Sequence, residues 1–161
     1  MRGLTDGIAA ALERSGPARL GLPGVFFAFA RRIVANILIV EDSPDNMKLF
    51  RTLLTMRGHD VSGLAGGDGL LEAIERVLPA LVLMDIQLPG KDGFALLQEI
   101  RRSPHGGLRV VALTAHAMSG DRERALQAGF DGYITKPIDI RSFPEAVQQM
   151  LAGETFKAGP Q

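Results

Sequence analysis

Four short apolar runs, each ending on a side chain that can do chemistry, constrain the fold of this chain more than any other feature. Ile37-Leu38-Ile39-Val40 runs into the acid pair Glu41-Asp42, and Leu81-Val82-Leu83-Met84 runs into Asp85. Val110-Val111-Ala112-Leu113 ends on Thr114, and Gly132-Tyr133-Ile134-Thr135 on Lys136. Continuous apolar runs of this length suit strands covered on both faces, as parallel strands are. In an open α/β sheet, functional groups collect just beyond the strands' carboxyl ends. The four ends therefore offer carboxylates, a hydroxyl and an amine to one place.

Helical signals fill the intervals. Ser43 can cap a helix with Pro44 in its first turn, and Met47, Phe50 and Leu54 fall at the spacing of one buried face before Gly58. Residues 59–65 read as a second strand. Asp68 is expected to open a helix reaching about Val77, with Leu71, Ile74 and Val77 or Leu78 inward. The loop from Gln87 to Gly93 leads into a helix from about Phe94 to Arg102, stopped at Ser103-Pro104. The fourth strand covers 109–114 and is followed by a helix from about Ser119 to Ala128. Phe143, Ala146, Val147, Met150 and Leu151 mark a last helix, with Pro144 in its first turn. Five strands alternating with five helices predict a doubly wound, flavodoxin-like parallel sheet with right-handed crossovers. In the strand order 2-1-3-4-5 the winding reverses between the first and third strands, so a crevice opens between Asp42 and Asp85.

Composition narrows the function classes. The 161 residues carry no net charge, which leaves no electrostatic footprint for nucleic acid or an anionic membrane. The absence of cysteine excludes disulfides and thiolate chemistry and fits a cytoplasmic setting. Residues 1–33 differ from the rest, with five arginines against Asp6 and Glu13. Their apolar stretch from Leu20 to Ala30 contains Pro23 and falls short of the roughly 20 residues of a membrane span. Residues 1–33 are therefore read as an extension, disordered or set by the choice of start site. Residues 34–153 are read as one domain, and 154–161 as a short flexible tail.

Carboxylates converging on a crevice repel one another, and a bound cation is one remedy. Oxygen-only donors suit Mg²⁺, which is commonly held by one or two carboxylates plus a phosphate oxygen. A carboxylate can also attack phosphorus while a metal, a lysine and a hydroxyl balance the charge on the transferring group. Asp85, Lys136 and Thr114 fit those roles.

The landmarks Glu41-Asp42, Asp85 with Pro89 and Gly93 downstream, Thr114-Ala115 and Lys136-Pro137 together resemble the receiver domain of two-component response regulators. The resemblance covers about residues 36–151, and all the landmarks occur in order. It implies a CheY-like fold with Asp85 as the phosphoacceptor. It also implies Mg²⁺ held by Asp42, Asp85 and the Gln87 backbone carbonyl, with Glu41 acting through a bound water. Thr114 and Lys136 would grip the phosphoryl oxygens, and Thr114 and Tyr133 would form the switch. Gln87 and His116 would tune dephosphorylation, and His116 departs from the more usual aromatic choices there. Segments around Asn46, Asp85 and Ala115 are most similar to DivK-like single-domain regulators and hybrid-kinase receivers.

The partners implied are a histidine kinase or a histidine phosphotransfer protein upstream. Downstream, the resemblance implies a kinase or regulator that docks on the face of the fourth helix, fifth strand and fifth helix. Such a chain signals rather than turning over substrate. One alternative is a shuttle that passes the phosphoryl group to a phosphotransfer protein. A phosphohydrolase with an Asp nucleophile is more remote, because it needs a second acid where Gln87 stands. A flavodoxin-like electron carrier is disfavoured, because Glu41-Asp42-Ser43-Pro44-Asp45 would repel a flavin phosphate. The peptide before Pro137 is a candidate cis bond.

Overall fold

The computed structural model describes residues 32–115, 119–153 and 157–158; the expected extension up to residue 31, and His116, lie outside the described residues. The elements in order are β1 (Asn36–Val40), α1 (Pro44–Thr55), β2 (Asp60–Leu64), α2 (Leu70–Val77), β3 (Leu81–Asp85) and α3 (Gly93–Arg102), then β4 (Val110–Thr114), α4 (Ser119–Ala128), β5 (Gly132–Thr135), α5 (Ser142–Leu151) and β6 (Lys157–Ala158). The sheet order is β2-β1-β3-β4-β5-β6, with every pair parallel. The expected order of the first five strands is present, as are the five expected helices, one after each of those strands. The sixth strand is an addition, and it falls in the stretch expected to be a tail.

The apolar runs are continuous because alternate residues serve opposite faces, and both faces are covered. On one side Ile37, Ile39, Leu81, Leu83, Val111 and Leu113 pack with residues of α1 and α5. There Phe50 and Phe143 meet at 5.4 Å between ring centroids. On the other side Leu38, Val40, Val82, Met84 and Ala112 pack with α2, α3 and α4. With both sides sealed, the strands' polar groups come to the surface only at the ends of the sheet.

Helix α2 departs from expectation. Asp68 does not cap it; Gly69 holds the N-cap position without a side-chain hydrogen bond, and Asp68 is exposed. The helix starts at Leu70, and Leu70, Ala73 and Ile74 are its buried residues. Leu71 is only partly buried. Leu78 is the left-handed C-cap, turned outward at φ 49°.

Two sets of bonds stitch the amino ends of the strands, away from the functional side chains. The Arg101 guanidinium donates to the carbonyls of Gly106 (2.9 Å), Leu108 (2.6 Å) and Gly129 (2.8 Å) and pairs with Asp131 (2.9 Å). Asp131 also accepts from the Val110 amide. On the other face the Gln148 side chain of α5 accepts from the Ile33 amide (3.1 Å) and donates to the Ile33 carbonyl (2.7 Å). The packed domain therefore reaches at least to Ile33, one residue before the expected boundary.

The Gln148 amide nitrogen also lies 3.0 Å from His59 Nε2. His59 is 3% exposed. Burial, helped by the nearby Arg32 charge and opposed by the Ala35 carbonyl, holds its pKa below the ordinary 6.5. The unfolded chain therefore binds a proton that the folded chain refuses, and stability falls as pH drops below 6.5 toward the lowered folded value. Urea melts of wild type and His59→Phe across that window should show a shallower slope for the variant.

Candidate functional site

Glu41, Asp42, Asp85, Gln87, Thr114 and Lys136 are placed at the carboxyl end of the sheet, Tyr133 lies further back on β5, and strand register explains why. Val40 pairs with both Leu64 and Met84, so Glu41 and Asp85 leave adjacent strands at the same level. Asp85 pairs with Leu113, and Thr114 pairs with Thr135. The Lys136 amide donates to the Thr114 carbonyl at 2.7 Å, which fixes the lysine at the same edge. The Lys136-Pro137 peptide is cis.

Glu41 and Asp85 are 1% and 2% exposed, so their charges need partners. Lys136 Nζ supplies one, at 2.5 Å from Asp85 Oδ2 and 3.2 Å from Glu41 Oε2. The remaining oxygens are also engaged. Glu41 Oε1 accepts from the Ser43 amide (3.1 Å) and the Asn46 side chain (3.3 Å), and Asp85 Oδ1 accepts from the Gln87 amide (2.8 Å). Burial would pull the Lys136 pKa down, but its hydrogen bond to Asp85 and the charges of Asp85 and Glu41 outweigh that pull and raise it. The ammonium therefore persists at neutral pH.

Asp42 is exposed, yet ligand oxygens of Glu41, Asp42 and Asp85 all lie within 4.8 Å of one another. Three hard oxygen donors, one open to solvent, suit a small divalent cation such as Mg²⁺. Thr114 is buried beside this group. Tyr133 is 2% exposed on β5, with the Arg122 guanidinium 5.0 Å from its ring centroid. Its hydroxyl is buried without a hydrogen-bond partner among the described residues.

The family model for the response regulator receiver domain matches residues 37–148. The chain belongs to that family. It is 38% identical over 122 residues to the polar-differentiation response regulator DivK of Brucella ovis, spanning 72% of this chain and 95% of DivK. It is also 40% identical over 116 residues to the sensor protein GacS of Pseudomonas syringae pv. syringae, spanning 70% of this chain but only 13% of GacS. Among solved structures, the receiver domain of the sensor histidine kinase PA1611 of Pseudomonas aeruginosa superposes with TM-score 0.66 at 35% identity, covering 76% of this chain and all of that domain. That structure holds magnesium in its active-site cleft. Receiver domains are signalling switches that bind Mg²⁺ at such a site and interact with histidine kinases or phosphotransfer partners. Among the described residues no helix is long and apolar enough to cross a membrane.

Two supports of the site owe their roles to tertiary contacts that the sequence does not display. Asn46 lies in one of the segments similar to DivK-like regulators, and its side-chain amide donates to Glu41. Gly93 was a landmark without a reason. A Cβ there would stand 2.7 Å from both the Asp85 carbonyl oxygen and Ile86 Cα, because α3 begins directly under the chain leaving β3. That loop is closed by the Gly93 amide donating to Ile86 (3.0 Å) and by a bridge between Gln87 and Asp92.

Two outcomes follow from this packing. Gly93→Ala should lower stability by about 1–3 kcal/mol in urea unfolding, because the clash is with backbone. Lys136→Met should lower it by about 3 kcal/mol at neutral pH, because two buried carboxylates lose their counter-charge. Lys136→Arg, measured in the same melts, should lose less.

Proposed function

We propose that this chain is a phosphorelay receiver in which Asp85 takes a phosphoryl group from a phosphohistidine and the resulting state signals through protein contact. The observation that carries this reading is the buried pair Asp85 and Glu41 bridged by Lys136 beside exposed Asp42. An Asp85 oxygen forms the new O–P bond as the donor's N–P bond breaks, and the departing imidazole takes up a proton. Lys136, already charged, moves its contact from the bare carboxylate to a phosphoryl oxygen. The Thr114 hydroxyl donates to another.

Asp42, Asp85 and the Gln87 carbonyl would hold Mg²⁺, with Glu41 acting through a bound water; the ion when bound supplies neutralising charge. Glu41 meanwhile keeps the Ser43 amide and Asn46 in place. Gln87 and His116 tune the access of water, and so the lifetime of the phosphoryl group. As Thr114 turns toward the phosphoryl group, Tyr133 repacks and changes the face formed by α4, β5 and α5. A downstream kinase or regulator reads that face in the adaptor reading, which likeness to DivK over nearly all of DivK's length supports. The 40% identity to part of the sensor protein GacS supports a second reading, in which Asp85 passes the group on to a histidine phosphotransfer protein.

Radiolabel transfer from a phosphorylated histidine kinase tests the chemistry. Asp85→Asn should abolish labelling, and Asp42→Asn should slow it and weaken its dependence on Mg²⁺. Label on Asp85→Asn at the wild-type rate would overturn the assignment. Capture of partners by the beryllofluoride-loaded protein separates the two outputs, because enrichment of kinases or regulators only in the loaded state supports the adaptor.

A further inference from the structure

Helix α4 carries little apolar surface to hold it against the sheet. Among its described side chains Ala125 alone is buried, with Leu126 and Ala128 partly so. Two of its arginines add to that hold, each lying over an aromatic ring of a neighbouring element. Arg124 stands 4.7 Å from the ring centroid of Phe94 on α3, and that ring meets Phe130 edge-on at 5.7 Å. Arg122 stands 5.0 Å from the ring centroid of Tyr133 on β5. A guanidinium over an aromatic face is attracted by the negative charge of the π-system.

The place of Arg122 is not explained by its own helix. α4 begins at Ser119, so this cation lies within the first turn, at the end where the helix dipole disfavours positive charge. Among the described residues no carboxylate pairs with it, and the Tyr133 ring is the partner that it has there. Tyr133 is in turn pulled two ways. Its ring belongs to the apolar layer that also holds Ala112 and Ala125, which favours burial. Its hydroxyl is buried with no hydrogen-bond partner among the described residues, which opposes burial. The guanidinium adds its weight on the side of burial.

We propose that Arg122 is a positioning residue that holds Tyr133 in its buried place before Asp85 is loaded. The contact joins α4 to the strand that leads into the site, because Lys136 follows Tyr133 along β5 and is tied to the Thr114 carbonyl and to Asp85. Its functional meaning rests on the switch role given to Tyr133 above, whereas the contact itself does not require that role. If Tyr133 and Asp85 are coupled, a change in the position of the tyrosine must change the affinity of the site for a phosphoryl mimic.

The chain contains one tyrosine and no tryptophan, so its tyrosine fluorescence is that of Tyr133 alone. Acrylamide quenching of the full chain therefore reads the exposure of this ring. Arg122→Gln should raise the quenching constant about twofold or more over wild type, and Arg122→Lys, which keeps the charge, should fall between them. Arg124→Gln removes the other stack from the same helix and should stay at the wild-type level. With Mg²⁺ present, Arg122→Gln should alter beryllofluoride affinity by about threefold or more. Quenching that is unchanged in Arg122→Gln, or raised as much by Arg124→Gln, would overturn the positioning role. Raised quenching in Arg122→Gln alone, with beryllofluoride affinity unchanged, would uphold the contact and overturn the part of Tyr133 in the switch.

Discussion

Two carboxylates buried together at the mouth of a sheet repel each other, and the Lys136 ammonium is what permits Glu41 and Asp85 to coexist there. The arrangement ties three strand ends together, since Glu41 follows β1, Asp85 ends β3 and Lys136 follows β5. β4 joins them through Thr114, whose carbonyl holds the Lys136 amide. The covering helices matter here because they leave the sheet's ends as the place where polar groups can meet. Without that seal the same charges would be dispersed in water and would interact weakly.

A lysine shared between two carboxylates is also poised for exchange. Its pKa is raised by the partners that it would have to redistribute, so it stays charged through any such rearrangement. Were charge added at Asp85, the attraction felt by the ammonium would change direction rather than disappear. The lysine's backbone is continuous with β5, and Tyr133 lies on β5 with a hydroxyl that has no hydrogen-bond partner among the described residues. Electrostatics at the mouth and packing along the strand are thus joined by a few covalent bonds.

Much of this was legible because parallel strands leave a plain signature. Apolar runs followed at once by Asp85 or Lys136 fixed both the strands and their functional ends, and the strand order brought those ends together. The site was legible for the same reason: its members sit where strands stop. What escaped depends on tertiary detail that no local pattern encodes. The start of α2 at Leu70 rather than near Asp68, and the burial of Leu70 and Ala73 rather than Leu71, depend on how the helix sits on the sheet. Gln148 looks like any polar residue on a helix until the chain at Ile33 is found beside it. Gly93 reveals its reason only when the Asp85 carbonyl is seen above it. β6 is too short to leave any periodic trace.

The bonds that Arg101 and Gln148 make at the amino ends of the strands have a consequence for how such a chain can change. They lie at the end of the sheet opposite Asp85, and they share no residue with the carboxylate cluster. Substitutions at well-separated places without common partners combine nearly additively. Loops around the crevice can therefore drift in sequence while the stitched end keeps the scaffold standing. A lineage built on this plan can diversify its signalling without first having to reinvent its fold.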